Sequence, residues 1–183
     1  MGSPTAVWHA EHFHFRQLLR LLEKQLDQFH NGEEPPYEVM MDIISYLRDY
    51  SDQSHHPRED VAFARLARYC PDLELVLARL QQEHRVIAHT GEQLLEQLKS
   101  VLDGAIVPRE EIEATAATYL VYYKTHLSKE DGAVMAAAAK HLTPEDWNAV
   151  LTAAPQTHDP LFGATPHQRY NALREQVERY AAA

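Results

Sequence analysis

Asn31-Gly32-Glu33-Glu34-Pro35-Pro36 divides the chain and decides its fold. Residues 8–30, ahead of it, carry apolar side chains at helical spacing; the glycine then supplies a C-terminal stop and the prolines forbid continuation. Gly and Pro recur in such clusters along the whole chain rather than scattered through it. A second helical segment runs over about 37–69 and stops before Pro71. Asp72 is placed to cap a third, which continues to Asp103-Gly104. Pro108 suits the first turn of a fourth, followed by Glu110 and Glu111, and that segment reaches about His141. Thr143-Pro144-Glu145-Asp146 opens a short fifth helix with a cap, a proline and an acidic first turn. Strand-type alternation is almost absent. At a rise of about 1.5 Å per residue, four segments of roughly 22 to 33 residues span about 33 to 50 Å. Their short connections predict antiparallel neighbours, hence an all-α, up-down-up-down four-helix bundle over residues 1–154. Residues 155–183 read as a C-terminal loop and one short helix (about 166–180) that packs on the bundle or reaches a partner.

The chain has 183 residues, enough for one domain with a substantial core. Its 17 Lys and Arg against 27 Asp and Glu give a net charge of −10, so the basic footprint that nucleic acid or an anionic membrane needs is missing. A lone cysteine, Cys70, excludes an internal disulfide framework. No run approaches the length of an apolar membrane span, and the first residues lack a secretory signal's cationic start and apolar block. A soluble, cytoplasmic protein is expected. The unusual count is histidine, at 12.

Helical phase places four of these inward. His12 shares a stripe with Phe15, Leu19, Leu22, Leu26 and Phe29. His55 and Glu59 lie with Met41, Ile44, Ala62 and Leu66, while His84 lies among Leu73, Leu77, Leu80, Ala88, Gly91, Leu95, Leu98 and Leu102. His126 and Glu130 share a face with Ile112, Thr115, Tyr119, Ala133 and Ala137. Each long segment thus turns one histidine toward the core, and two place a carboxylate one turn behind it. An uncompensated buried carboxylate costs several kcal/mol, and no lysine or arginine falls near Glu59 and Glu130 on these stripes. Two cations of charge two or three would supply the missing charge. Imidazole with carboxylate suits iron, manganese or zinc. The expected ligands are His12 and His55 on one metal and His84 and His126 on the other, with Glu59 and Glu130 bridging.

The order His, His-x-x-x-Glu, His, His-x-x-x-Glu on successive helices resembles the hemerythrin-like (HHE cation-binding) family. The local text agrees: Glu11-His12-Phe13-His14-Phe15-Arg16, His55-His56-Pro57-Arg58-Glu59-Asp60-Val61-Ala62-Phe63, Glu83-His84-Arg85 and His126-Leu127-Ser128-Lys129-Glu130-Asp131. The resemblance covers about residues 8–142. It implies a non-haem di-iron centre, two iron ions with an oxo or hydroxo bridge, binding a small diatomic ligand such as dioxygen or nitric oxide. The oxygen carriers of that family have a second histidine four residues along the third helix, where this chain has Ala88, and typically place the last carboxylate five residues after its histidine rather than four. An open position on each metal follows, which suits the family's sensing, iron-handling and nitric-oxide-response branches better than oxygen carriage.

Other residues read more plainly. His56 and Asp60 form a parallel pair about 100° round the second helix, an additional ligand pair or a set that supports the ligands or faces solvent. His14 would replace His12 if the first helix were rotated. Glu83 and His89 read as surface, as do His9, His30, His141, His158 and His167; Tyr119, Tyr122 and Tyr123 read as core beneath the site. Three function classes remain: a di-iron binding protein for sensing, storage or stress response; a di-iron oxidase, peroxidase or nitric-oxide reductase, or an iron-centre repair enzyme; and a metal-free signalling or adaptor bundle. Expected partners are the small ligand and a second copy in a homodimer, with no nucleic acid and no membrane.

Overall fold

The computed structural model describes residues 3–154 and 156–181, which form helices and loops and, among the described residues, no strand. Helix α1 is Pro4–His30. The second bundle helix is α2 (Tyr37–Tyr46), a π-helical stretch (Leu47–His55) and α3 (His56–Tyr69) in unbroken succession. The third is α4, Glu74–Leu102, and the fourth is α5 (Arg109–Lys129), a second π-helical turn (Glu130–Val134) and α6 (Met135–His141). Helices α7 (Pro144–Ala153) and α8 (Asn171–Ala181) follow. No helix is long and apolar enough to cross a membrane.

Local chemistry sets most of these ends. Gly32 and Gly104, at φ 83° and 84°, follow α1 and α4 in the left-handed conformation that glycine adopts without cost. The next residues close each end, Glu33 N–H donating to the Gln28 carbonyl and Ala105 N–H to that of Ser100. Thr143 and Asp146 make the expected reciprocal capping box of α7. Asp72 does not cap α4: it lies in a 3-10 turn, Pro71–Leu73, and Leu73 takes the cap position without a side-chain bond.

The core is layered. One apolar cluster holds Phe15 to Phe29 of the first helix, Met40 to Tyr50 of the second, Ile87 to Leu98 of the third and Ile112 to Leu127 of the fourth. The other holds Trp8, then Ala62 to Leu66, Leu77 and Leu80, and Val134 to Ala138. The order of the clusters along the chain reverses from each helix to the next, so the four run antiparallel. Gly91 brings α4 close to α5, since a Cβ there would meet the Tyr119 ring at 3.0 Å.

The π turns shift the helical phase. After Glu130 the inward residues are Val134 and Ala138, whereas Ala133, expected on the stripe, is exposed. In the second helix Met40 and Ile43 join Ile44 inside, and Met41 is only half-buried. Tyr122, expected in the core, is largely exposed, as is Leu102 at the end of α4. His141 is half-buried rather than exposed. The C-terminal segment packs on the bundle: Leu161, Tyr170, Leu173 and Val177 are buried in the first apolar cluster. Asp159 accepts from the Tyr46 hydroxyl and from the N–H groups of Leu161 and Phe162.

Candidate metal centre

Between the two apolar layers lies a polar one. His12, His55, Glu59, His84, His126 and Glu130 are all buried and meet there. His12 Nε2 is 2.9 Å from His55 Nε2 and 3.3 Å from Glu59 Oε1, and His55 Nε2 is 3.1 Å from the same oxygen. On the other side His126 Nε2 is 3.0 Å from Glu130 Oε1, and His84 Nε2 is 3.5 Å from Glu59 Oε2 and 3.6 Å from Glu130 Oε1. Glu130 Oε2 reaches back to within 3.6 Å of His12 Nε2. Each carboxylate therefore presents one oxygen to each histidine pair, the disposition of a double bridge.

Fit to a cation can be judged from the hydrogen bonds these atoms lack. Glu59 Oε2, both Glu130 oxygens, His84 Nε2 and His126 Nε2 are buried with no hydrogen-bond partner. Buried polar atoms rarely stand alone, because each forfeits its water without replacement. All five belong to the cluster of close approaches just described, and no lysine or arginine pairs with Glu59 or Glu130 among the described residues. Two groups of donor atoms, His12, His55 and Glu59, and His56, Glu59, His84 and His126, are compact enough to hold an ion.

The Nδ1 sides of the four rings reveal what phase analysis missed. His55 Nδ1 donates to Glu11 at 2.6 Å, His84 Nδ1 to Asp60 at 2.8 Å, His126 Nδ1 to Glu83 at 3.4 Å, and His12 Nδ1 to Asp131 at 2.8 Å. The acid of each helix thus serves the histidine of the next, and that of the fourth returns to the first. The ring of bonds points every Nε2 lone pair inward, as a metal requires. Glu83, expected at the surface, is buried, because Lys129 and Arg79 also pair with it. Each outer acid adjoins an inner residue in sequence (Glu11-His12, Glu59-Asp60, Glu83-His84, Glu130-Asp131), a signal the sequence did contain.

Cations hold this outer ring in place. Arg58, buried, donates to Glu11 at 2.8 Å, and Arg16 pairs with Asp131. Burial pushes the Glu11 carboxyl up, but the bond and charge of His55 with those of Arg58 outweigh it and hold it at about 2. Asp131 also sits at about 2, where His12 and Arg16 overcome burial. Burial lowers His12, yet its bonds to Asp131 and Glu59 lift it to about 10. Burial likewise raises Glu59 and Glu130, but the imidazoles around them hold both low. In the metal-free centre the neighbouring carboxylates also raise His84 and His126 against the pull of burial.

His56 is buried rather than solvated, and it belongs to the second donor group although its ring stacks on one of that group's members. Its ring lies parallel to that of His84, 11° apart with centroids at 4.1 Å. An imidazole binds an ion in its own plane, so stacked rings cannot share one. Its Nε2 bonds to Ser51, which accepts from Tyr123 at 2.6 Å, and complete burial with neighbouring imidazole charge keeps His56 neutral. His14 faces away from the centre and stacks on Phe162 at 4.0 Å.

The profile of the hemerythrin HHE cation binding domain matches residues 3–138, which contain all six inner residues. The chain belongs to the hemerythrin HHE cation-binding family. No curated protein matches it. Membership carries metal binding, and within this hemerythrin-like chain the His and Glu clusters are the groups that could hold the metal.

Proposed function

We propose that the protein is a non-haem di-iron binding protein that takes up a small diatomic ligand, dioxygen or nitric oxide, or handles iron itself, for sensing, storage or stress response. His12 and His55 hold one iron, His84 and His126 the other, and Glu59 and Glu130 bridge them. The observation that carries the reading is the set of five buried, unpartnered donor atoms in that cluster. Four imidazoles and two carboxylates form a mixed nitrogen and oxygen set that suits iron, with manganese and zinc as competitors. Bound iron supplies redox-active positions for the small ligand. The surrounding residues fix the imidazole orientation through their Nδ1 bonds and exclude bulk water by burial.

The test is elemental analysis with an optical spectrum on protein purified without chelators. About two irons per chain are expected, with absorption that changes on adding azide or nitric oxide. Protein that stays metal-free in iron-supplemented medium overturns the reading, and so does a spectrum indifferent to every added ligand.

One feature favours a second reading, an oxidase, peroxidase or nitric-oxide reductase. Where the oxygen carriers' extra histidine would stand, Ala88 instead borders a surface cleft of about 180 Å³ that reaches His84, His56, Asp52 and Asp60. A centre open to exchange on that side is suited to turnover. Peroxide or nitric oxide consumption well above that of free iron, lost in Glu59→Ala, separates this reading from passive binding.

A further inference from the structure

The two tryptophans of the chain, Trp8 and Trp147, meet edge to face with centroids 5.2 Å apart. They line a cleft of about 400 Å³ with Val7, Val150, Leu151 and Arg58, between the start of α1 and helix α7. The volume lies within the range of small-molecule sites, and the walls have the composition of one, mostly apolar and aromatic with few polar groups. The cleft adjoins the metal centre through Arg58, which holds Glu11, and through Trp8, which packs edge-on against His55.

Its polar side chains are Gln156, which is exposed, and Arg58, only 2% exposed. The guanidinium is held rigidly: Nε donates to the Ser54 carbonyl at 2.9 Å and Nη2 to Glu11 at 2.8 and 3.0 Å. Glu11 is shared, since it also accepts from Tyr50 at 2.7 Å and from His55 at 2.6 Å. Ionised Glu11 matches the Arg58 charge through Nη2, while Nη1 carries no hydrogen bond among the described residues. A buried, fixed cation with a spare donor, at an apolar cleft, is built for an anion on an apolar body.

We propose that this cleft binds a small aliphatic carboxylic acid, its chain against Trp8, Trp147 and Leu151 and its carboxylate on Arg58. A neutral ligand would leave the spare donor unsatisfied, and a strongly polar acid would waste the apolar wall.

Both tryptophans lie in the cleft, so intrinsic fluorescence of the full, metal-free chain reports its occupancy without recourse to iron. Octanoate, below its micellar range, is expected to shift the emission saturably with half-saturation on the order of 10–100 µM. Octanol, with the same chain and no charge, is expected to bind about tenfold more weakly. Val7→Phe fills the cleft and should abolish the response with the helical circular dichroism unchanged. Arg58→Gln should reduce octanoate to the level of octanol. Should that variant fail to fold, the comparison of acid with alcohol and the Val7→Phe result decide alone. Equal affinities, a response that never saturates, a Val7→Phe protein that responds like the parent, or emission governed by protein concentration because a second copy covers the cleft would each overturn the proposal.

Discussion

The two halves of the polar layer use the same residue types in different surroundings. Around His12 and His55 both rings are fully buried, and their outer carboxylates are clamped, Glu11 by Arg58 and Tyr50, Asp131 by Arg16 and His9. Around His84 and His126 the enclosure is uneven. Glu83 is held by Lys129, but the Asp60 side chain is 43% exposed, pairs with no arginine or lysine among the described residues, and lines the cleft beside Ala88. One half is closed, and the other borders the surface. A symmetric set of inner residues is thus made asymmetric by what lies one residue away from each of them.

The largest effect should come from removing what the halves share. Glu59 offers Oε1 to His12 and His55 and Oε2 toward His84. Glu59→Ala is expected to lower the metal content from about two ions per chain to well below one by elemental analysis. His84→Ala should spare the closed half and leave about one ion. Equal losses in the two variants would show that the halves load as one unit and would dissolve the distinction.

A finer separation comes from the outer acids. Losing a carboxylate that orients a ligand histidine typically costs about 10–100-fold in metal affinity. Glu11→Gln should fall at the upper end, because it also leaves Arg58 buried beside a neutral partner. Asp60→Asn should fall at the lower end, because water reaches the Nδ1 of His84 in its place. Competition with a chelator measures both, and the reverse order would refute the assignment of closed and open halves.

Acidity supplies a third contrast, between metal-free and metal-loaded protein. The folded His12 value of about 10 stands above the ordinary imidazole value, so its contribution is complete below about pH 6.5 and is lost as pH rises through 10. Glu11 and Asp131, held at about 2, contribute above about pH 4 and lose that contribution as pH falls toward 2. The metal-free protein should therefore show a melting temperature that drops by several degrees between pH 7 and 10, and again below about pH 4. In the loaded protein the inward nitrogen carries metal instead of a proton, and the alkaline drop should vanish.

Much of this was legible because burial follows helical phase. Four breaker clusters gave four helices, and a step of three or four residues from a leucine stripe found His12, His55, His84, His126, Glu59 and Glu130, which the fold brings together. What phase could not find lies about 100° off the stripe. Glu83 reads as surface, Asp60 as one of a pair that ligates, supports the ligands or faces solvent, and Glu11 and Asp131 carry no reading of their own, yet each adjoins an inner residue and meets a histidine of the neighbouring helix. Their role depends on tertiary contacts, as does the burial of Arg58. The π turns were equally hidden: Pro57 lacks the N–H of one helical hydrogen bond, which does not reveal that the register widens over Leu47–His55, nor that the same happens after Lys129 and turns Val134 inward.

The smallest effect concerns access, and it bears most directly on the open half. Ala88 is half-buried, borders the cleft that reaches His84, and follows His84 by four residues on the same helical face. Leucine there keeps helix propensity nearly unchanged and fills part of the cleft without touching a ligand. Metal content and melting temperature should stay close to those of the parent. Azide binding to the oxidised iron-loaded protein, followed by stopped flow, should slow by a few-fold, while the equilibrium affinity moves less, since narrowing a passage hinders arrival and departure alike. An unchanged rate would place the route elsewhere, and a lost second iron would mean that the cleft is structural support for His84 rather than a path to it.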